Sequence, residues 1–274
     1  MTIETGDSTA DDTVSVEIPG SKGARQFRMA LHQRCDLVAA TIADGGWEAF
    51  ERPMPRCFFN YLAESPGLVI DGGINTGYYA FLACAASDLN FVLGFEPDAT
   101  VRKFLWQNIF LNQLTDRISV SPLALSNRIG LAELYVPDPG HGLIESSSSL
   151  DASFKDRHSG VVRVGVSTLD AVLSSDLWQA KRVTAIKIDV EGHELSVLEG
   201  AAGTIAKWRP VVFVEILDRA HFSALSALIA RFDYWDVPLQ EGSLTAGRAV
   251  AFHSSAWNHA FVPTELLRML MRSG

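Results

Sequence analysis

Cysteine, long apolar runs and basic residues are scarce in this sequence, and each scarcity excludes a class of protein. The three cysteines, Cys35, Cys57 and Cys84, form no C-x-x-C pair, which argues against a zinc or dithiol centre and favours reduced thiols. No apolar stretch approaches the roughly 20 residues that span a bilayer. Residues 1–12 are acidic and polar, where a secretory signal carries positive charge. We therefore expect a cytoplasmic protein with no membrane partner.

The balance of charges is acidic, with 23 lysines and arginines against 32 aspartates and glutamates and a formal net charge of −9. Such a surface repels the phosphates of nucleic acids and anionic lipids. We therefore expect a small-molecule partner and no nucleic acid. Apolar residues make up 47% of the 274 residues, which is enough for the core of one principal domain.

Residues 13–66 predict a hairpin and two helices in front of the main domain, after a disordered segment at residues 1–12. The strands VSVEI and RQFRMAL flank the turn-prone sequence PGSKG, as in a β-hairpin. Residues 35–64 favour helix, with a break at Gly45 and Gly46. This region is predicted to be a small extension of the main domain.

Residues 67–274 alternate short apolar strands with amphipathic helices, which is the pattern of a parallel sheet with crossover helices. The predicted strands are LVI at 68–70, FVLGF at 91–95, ISV at 118–120, TAIKI at 184–188 and VVFVEI at 211–216. The helices between them begin near Gly77, Asp98 and His193. Residues 130–165 interrupt the pattern with a serine run. Such an insertion is either a substrate loop or a plain surface excursion.

The turn after the first strand, residues 71–77, has the sequence DGGINTG. Ligands of open parallel sheets bind outside the carboxyl ends of the strands, so this turn is the expected place for a cofactor. Gly73 and Gly77 let the backbone turn sharply and approach a ligand closely. Neither G-x-G-x-x-G nor G-x-x-x-x-G-K-[ST] fits the turn. It suits a ligand that joins an amino acid to a nucleoside without pyrophosphate, and a turn that only closes strand onto helix is the alternative.

The second strand ends at Glu96 and Pro97, about 20 residues beyond the turn, where a carboxylate binds ribose hydroxyls in dinucleotide folds. A chance surface glutamate is the alternative. After the third strand, Leu123, Ala124 and Ser126 are placed to meet an adenine face. Small and apolar residues there are also ordinary core.

Several motifs, taken in order, resemble the FkbM-type methyltransferases, a branch of the class I methyltransferases that depend on S-adenosylmethionine (SAM). The motifs are VIDGGINTGYY at 69–79, FEPDATVRKFLWQNIFLN at 95–112, ALSNRIGLAELYV at 124–136, IKIDVEGHELSVLEGA at 186–201 and VVFVEI at 211–216. The string IKIDVEGHE is the most specific, because other methyltransferases share the glycine turn but not this string. Gly72 and Ile74 depart from the D-V-G-A-N that is common in the family.

The resemblance implies an α/β fold of the class I, Rossmann-like type. We expect a mostly parallel seven-stranded sheet with helices on both faces, plus the small N-terminal α/β extension. The resemblance also implies SAM as the cofactor, released as S-adenosylhomocysteine (SAH), with residues 71–77 around its methionine portion and Glu96 on its ribose. The predicted cofactor-binding residues are Asp71, Gly73, Asn75, Gly77, Glu96, Pro97, Ala124 and Asp189.

The fourth strand ends at Asp189, and the turn that follows is the expected place for the methyl acceptor. Methyl transfer requires alignment of acceptor and methyl group, exclusion of water and removal of a hydroxyl proton. Asp189 either orients the acceptor or contacts the amino group of SAM, and Glu191 or His193 takes the proton. A histidine ring that caps the next helix or faces solvent is the alternative. The predicted catalytic residues are Asp189, Glu191 and His193, while Glu194 and Glu199 favour a solvated helix face.

Glu215 closes the fifth strand, so it is expected to converge with Asp189 and Glu191. Converging carboxylates can hold Mg²⁺ or Ca²⁺. We favour hydrogen-bonding carboxylates without a metal, because no run of ligands has the spacing of a dedicated site.

The family is known for O-methylation in sugar and natural-product biosynthesis, and some members methylate nitrogen. We therefore expect O-methylation of a hydroxyl on a sugar or natural product. The alternatives are N-methylation of an amine or peptide amide, an NAD(P)-dependent oxidoreductase, and a binding protein without activity. The amphipathic final helix packs either on its own domain or in a homodimer.

Overall fold

The structure, a computed structural model, describes residues 12–19, 25–137, 148–151, 158–178, 181–242 and 244–273. The strands are β1 (Thr13–Ile18), β2 (Arg25–Ala30), β3 (Leu68–Gly72), β4 (Phe91–Phe95), β5 (Ile118–Ser121), β6 (Ala124–Leu125), β7 (Gly130–Pro137), β8 (His158–Ser167), β9 (Val183–Ile188), β10 (Val211–Glu215), β11 (Tyr234–Pro238) and β12 (Asn258–Pro263). The helices are α1 (Leu37–Gly45), α2 (Met54–Glu64), α3 (Tyr78–Ala86), α4 (Ala99–Leu111), α5 (Leu169–Leu173), α6 (Glu194–Gly200), α7 (Ala202–Trp208), α8 (Phe222–Arg231) and α9 (Leu267–Ser273).

Seven strands form the central sheet in the order β11-β12-β10-β9-β3-β4-β5. The strands from β10 to β5 run parallel, and β12 runs antiparallel to both of its neighbours. This arrangement confirms the predicted α/β fold with a mostly parallel seven-stranded sheet. All five strands predicted along the parallel part are present.

The sheet is covered on both faces because its parallel strands are apolar on both sides. Alternate residues of one strand enter different cores: Phe213 packs toward the face of α1 to α4, and Val212 and Val214 pack toward the face of α5 to α8. The helices begin close to the predicted positions at residues 78, 99 and 194. Asp98 explains the start of α4, since its side chain accepts from the backbone N–H groups of Thr100 and Val101.

The N-terminal extension lies against α3 and α4 on the first of these faces. β1 and β2 form the expected antiparallel hairpin, in which Thr13 pairs with Ala30. The predicted disordered segment before Asp12 and the tip of the hairpin turn at residues 20–23 lie outside the described residues. Asp36 caps α1 by accepting from the N–H of Ala39 at 3.0 Å. The linker between α1 and α2, residues 46–53, contributes to the site described below.

The two strands at the antiparallel end of the sheet, β11 and β12, are present but do not appear as apolar runs in the sequence. Asp236 interrupts β11 and His259 interrupts β12, and both side chains are buried. They pair through a hydrogen bond of 2.7 Å between His259 Nδ1 and Asp236 Oδ1. Burial of polar groups is tolerated when they are paired, and the pairing is visible only after the strands meet.

The insertion at residues 130–165 contributes a second, smaller sheet in the order β6-β8-β7. β7 and β8 are antiparallel, and Gly130 pairs with Val166. Between them, Ser149 forms a bridge with Tyr135, so residues 148–151 lie against the hairpin. Residues 138–147 and 152–157, which include the first half of the serine run, lie outside the described residues. Among the described helices, none has the length and apolar character needed to cross a bilayer.

Candidate active site

A cavity opens at the carboxyl ends of β3, β4, β9 and β10, where the polar residues that follow the parallel strands meet. The linker between α1 and α2, the turn after β3, and Ser148 and Leu150 of the insertion complete its walls. The empty space, including open solvent at the mouth of the cavity, amounts to about 1080 Å³.

The turn after β3 owes its shape to backbone conformations that glycine favours. Gly73 has a φ of +79° and Gly77 a φ of +104°, in the region that side chains disfavour. A Cβ atom on Gly73 would lie 1.9 Å from the carbonyl oxygen of Asp189. The turn therefore passes directly over the end of β9, and it can do so only with glycine at position 73.

Lys187 lies beneath this turn as a buried cation between two carboxylates. Its Nζ atom lies 3.1 Å from Asp189 Oδ2 and 3.8 Å from Asp71 Oδ1. It also donates a hydrogen bond of 3.2 Å to the carbonyl oxygen of Gly73. Burial by itself would lower the pKa of Lys187, but Asp189, Asp71 and Glu51 outweigh burial and raise it. Lys187 thus stays charged and connects the turn to the end of β9.

Asp71 is buried beneath the turn and does not line the cavity. Neither of its carboxylate oxygens has a hydrogen-bond partner among the described residues. Burial raises the pKa of Asp71 to about 7, although Lys187 opposes this shift. Gly77 also lies away from the cavity wall. These two predicted cofactor residues therefore shape the turn, and the other six, from Gly73 to Asp189, line the cavity.

Glu96 is a buried carboxylate at the end of β4 that faces the cavity. Its Oε2 accepts from the backbone N–H of Asn75 at 3.2 Å, and its Oε1 accepts from the N–H of Asp98 at 3.0 Å. Burial raises the pKa of Glu96 to about 7 despite these hydrogen bonds. Each oxygen keeps lone-pair capacity for a ligand hydroxyl. Beside it, Ala124 and other small or apolar side chains form a wall of the cavity, whereas Ser126 is engaged elsewhere.

The three predicted catalytic residues, Asp189, Glu191 and His193, all line the cavity, and so does Glu215. His193 Nε2 lies 3.0 Å from Ser126 Oγ, so its ring neither caps α6 nor faces open solvent. Burial and the charge of Arg128 lower the pKa of His193, which keeps the ring neutral near neutral pH.

The sequence profile of the methyltransferase FkbM domain matches residues 71–237, more than half of the chain and all of the parallel sheet from the end of β3 onward. The chain belongs to the FkbM methyltransferase family. Its fold is the class I methyltransferase fold, with the reversed strand β12 inserted between β10 and β11.

Solved structures with similar folds include methyltransferase FkbM of Methylobacillus flagellatus KT, at 17% identity and a TM-score of 0.47, covering 72% of this chain and 43% of that one. A putative transferase of Pyrococcus horikoshii matches at 14% identity and a TM-score of 0.44, covering 92% and 71%. A SAM-dependent O-methyltransferase of Thermotoga maritima matches at 12% identity and a TM-score of 0.41, covering 90% and 77%. The chain thus spans less than half of the Methylobacillus protein. A comparison with curated proteins finds no match.

The residues of this FkbM-family cavity fit SAM. Asn75 Oδ1 is a buried polar atom without a hydrogen-bond partner in the described residues, and Asn75 lines the cavity. A ligand with amino, carboxyl and hydroxyl groups would satisfy such atoms. Glu96 has free acceptor capacity for a ligand hydroxyl.

Replacing Glu96 with alanine is expected to weaken SAM binding by about 10- to 100-fold, the value of hydrogen bonds to a charged group. Isothermal titration calorimetry of SAM and SAH measures this change. The matched control is Glu199→Ala, which removes an exposed carboxylate of α6 that hydrogen-bonds Asn127 outside the cavity. Equal affinity in Glu96→Ala and the wild type would exclude Glu96 from the cofactor site.

The departure at Ile74 from the family pattern has a structural counterpart in β4. A Cβ atom on Gly94 would lie 2.2 Å from Ile74 Cδ1, so the larger side chain occupies space that the glycine leaves open. Ile74 is buried there. The turn thus keeps its course with a bulky residue at this position.

The prediction of a solvated face for Glu194 was wrong, since this side chain is buried at the start of α6. Its Oε1 accepts from the backbone N–H of Gly192 at 2.9 Å, and burial raises its pKa to about 7. The carboxylate closes the turn in which Gly192 has a φ of +97°. Glu199 is exposed, as predicted.

Sequence reasoning missed Glu51, a cavity residue from the N-terminal extension. It lies in the left-handed region with a φ of +56°, and its Oε2 accepts a hydrogen bond of 2.7 Å from the hydroxyl of buried Tyr79. The signal in the sequence was a carboxylate in the helix break after Gly46. A break in a helix does not by itself indicate which way a side chain points, so only the packing of the extension revealed it.

Among the described residues, no group of three or more histidines, cysteines, aspartates and glutamates is arranged to hold a metal ion. Asp189 pairs with Lys187 instead. Glu215 lies at the same end of the cavity, and burial together with Asp189, Glu191, Glu51 and Glu194 raises its pKa to about 9.

Proposed function

We propose that this protein transfers a methyl group from SAM to a hydroxyl oxygen of a small molecule, either a sugar or another natural product. The observation that carries the proposal is that one cavity joins two sets of residues. The turn after β3 and Glu96 suit a nucleoside with an amino-acid portion. The carboxylates at the ends of β9 and β10 suit an acceptor that presents hydroxyl groups.

SAM, when bound, supplies an electrophilic methyl group on a sulfonium sulfur. The protein's part is to place the acceptor oxygen in line with that group and to receive the hydroxyl proton. Asp189 is suited to orient the acceptor, because Lys187 holds one of its oxygens at 3.1 Å and the other is left to accept from a hydroxyl. Glu191 and His193, two and four residues after Asp189 in the chain, line the same cavity.

Residues 148–151 of the insertion cover this side of the cavity, which supports the interpretation of the insertion as a substrate loop. Ser149 Oγ donates a hydrogen bond of 2.6 Å to the carbonyl oxygen of Glu191, and Leu150 lines the cavity. A covered site keeps water away from the reacting groups. The acceptor proposed here is therefore a small molecule that fits beneath this segment.

The proposal is tested with methyl-labelled SAM and a panel of sugars and hydroxylated natural products, in which the label is expected on oxygen. Asp189→Asn is expected to lower kcat by about 100-fold or more, while the Kd of SAM changes less than about threefold. Asp116→Asn, an exposed aspartate outside the cavity, serves as the matched control. Failure of both SAM and SAH to bind at about 1 mM, where even weak sites are detected, would overturn the proposal.

The acidic acceptor side also favours a second candidate, N-methylation of an amine. Carboxylates attract a protonated amine, which then has to lose a proton before its nitrogen can attack. Each alcohol of the panel is therefore paired with the corresponding amine, for example a sugar with its amino sugar. Label found only on nitrogen would replace the hydroxyl assignment and leave the cofactor assignment unchanged.

A further inference from the structure

Glu51 and Glu215 approach the cavity from different parts of the fold. Glu51 comes from the linker between α1 and α2, and Glu215 is the last residue of β10. Both line the same cavity as Asp189. The hydroxyl of Tyr79 holds Glu51 in place at 2.7 Å, and the left-handed backbone at Glu51 shows that the surrounding packing imposes its position.

The charged groups around these two carboxylates come from several elements. Lys187, Asp189 and Asp71 face Glu51, together with the hydroxyl of Tyr79. Asp189, Glu191, Glu51 and Glu194 face Glu215. Lys187 is the cation among these groups, and Asp71 and Asp189 already compensate its charge. Glu51 thus shares Lys187 with Asp71 and Asp189, whereas the charged groups named here that face Glu215 are all carboxylates.

We infer that the negative charges of Glu51 and Glu215 compensate the positive charge of the sulfonium group of SAM. We further infer that the acceptor's proton moves to one of these two carboxylates during methyl transfer and stays there. This inference rests on the proposed function. In the reaction, the oxygen–carbon bond forms, the sulfur–carbon bond breaks with its electron pair returning to sulfur, and the hydroxyl proton moves to a carboxylate. The sulfonium charge disappears as the carboxylate is neutralised, so the net charge of the cavity is unchanged.

The pKa values of Glu51 and Glu215 are consistent with this role in the reaction. Burial, together with Asp189 and against Lys187, raises the pKa of Glu51 to about 7, and burial with its acidic neighbours raises the pKa of Glu215 to about 9. A bound sulfonium favours the charged form of a carboxylate and lowers its pKa. SAM is therefore expected to displace protons from these groups, whereas the neutral thioether of SAH does not.

The consequence is a preference for SAM over SAH that increases with pH. Below the pKa values of the two carboxyls, SAM has to displace a proton, which weakens its binding; above them no proton is displaced. The ratio of Kd for SAH to Kd for SAM is expected to rise about tenfold between about pH 6 and about pH 9, equivalent to one unit of pKa. The ratio is the useful quantity, because both ligands carry the same amino and carboxyl groups.

The test is calorimetric titration of the full chain with SAM and with SAH across this range, in buffers of different ionisation enthalpy. Proton release on binding SAM but not SAH is expected in the wild type. Glu51→Gln and Glu215→Gln are each expected to reduce the rise of the ratio with pH, because each removes one of the two titrating carboxyls. The double variant should give a ratio that does not change with pH.

Two further variants keep the inference testable if a glutamine variant folds poorly. Tyr79→Phe removes a hydrogen-bond donor that lowers the pKa of Glu51. The pKa of Glu51 should therefore increase, and the rise in the ratio of Kd for SAH to Kd for SAM should move to higher pH. Glu199→Gln, outside the cavity, should behave as the wild type. A flat ratio in the wild type, or an unchanged rise in the double variant, would overturn the inference while SAM binding still supports the proposed function. Failure of both ligands to bind would instead count against the proposed function itself.

Discussion

Gly73→Ala is expected to weaken SAM binding by at least about 100-fold, the effect of a displacement of about 1 Å at a site of this kind. The added Cβ atom would lie 1.9 Å from the carbonyl oxygen of Asp189, a distance that neither backbone segment can accommodate without moving. The left-handed φ at this position adds strain, so the folded state should also lose more than about 1 kcal/mol. Calorimetry with SAM and urea denaturation measure the two effects.

The matched control is Gly242→Ala. Gly242 has a φ of +97°, and a Cβ atom there would meet no atom within 4 Å. It therefore carries the strain of the left-handed conformation without the collision. SAM binding should remain at the wild-type level in this variant. If Gly73→Ala binds SAM as well as Gly242→Ala does, the turn after β3 does not hold the cofactor in the way proposed.

Lys187→Met is expected to lower the free energy of unfolding by about 3–5 kcal/mol at neutral pH, the cost of removing one partner of a buried ion pair. The loss arises because Asp71 and Asp189 would be left without the cation between them. Equilibrium urea denaturation measures the difference from the wild type. Lys103→Met, an exposed lysine of α4, should change stability by less than about 0.5 kcal/mol.

The effect of Lys187→Met should depend on pH in a definite direction. Asp71 has a pKa of about 7 in the folded protein, above its usual range, so its charged form opposes folding as pH rises through the range between the two values. Loss of Lys187 removes the interaction that lowers the pKa of Asp71. The variant therefore loses more of its free energy of unfolding as the pH rises. The variant should therefore be least impaired in acid, and Asp71→Asn should restore part of its stability. A penalty that is the same at every pH would show that the loss comes from packing and not from charge.

Gly73 and Lys187 together determine how the site is organised. Gly73 allows the turn to pass over the end of β9, and Lys187 joins the turn to Asp189 from below. The proposed cofactor half and acceptor half are therefore parts of one connected structure.

Much of the architecture could be predicted from local patterns. The five strands of the parallel part are short runs of mostly apolar residues, and this composition is visible in the sequence without knowledge of their neighbours. Glu96 and Asp189 each follow a strand directly, so their place at one edge of the sheet follows from the parallel topology. The strands of the antiparallel end, β11 and β12, were not among the predicted strands, because Asp236 and His259 are polar in sequence and become compatible with a core only by pairing.

The sequence by itself determined the central sheet, the glycine turn, the acidic residues at the strand ends and the family. It did so because these features depend on local composition and on motifs a few residues long. The tertiary structure decided which carboxylates share a cavity. It buried Asp71 and Glu194, placed Lys187 between two acidic side chains, and brought Glu51 across from the N-terminal extension. Burial and ion pairing depend on residues far apart in the chain, so only the folded packing could reveal them.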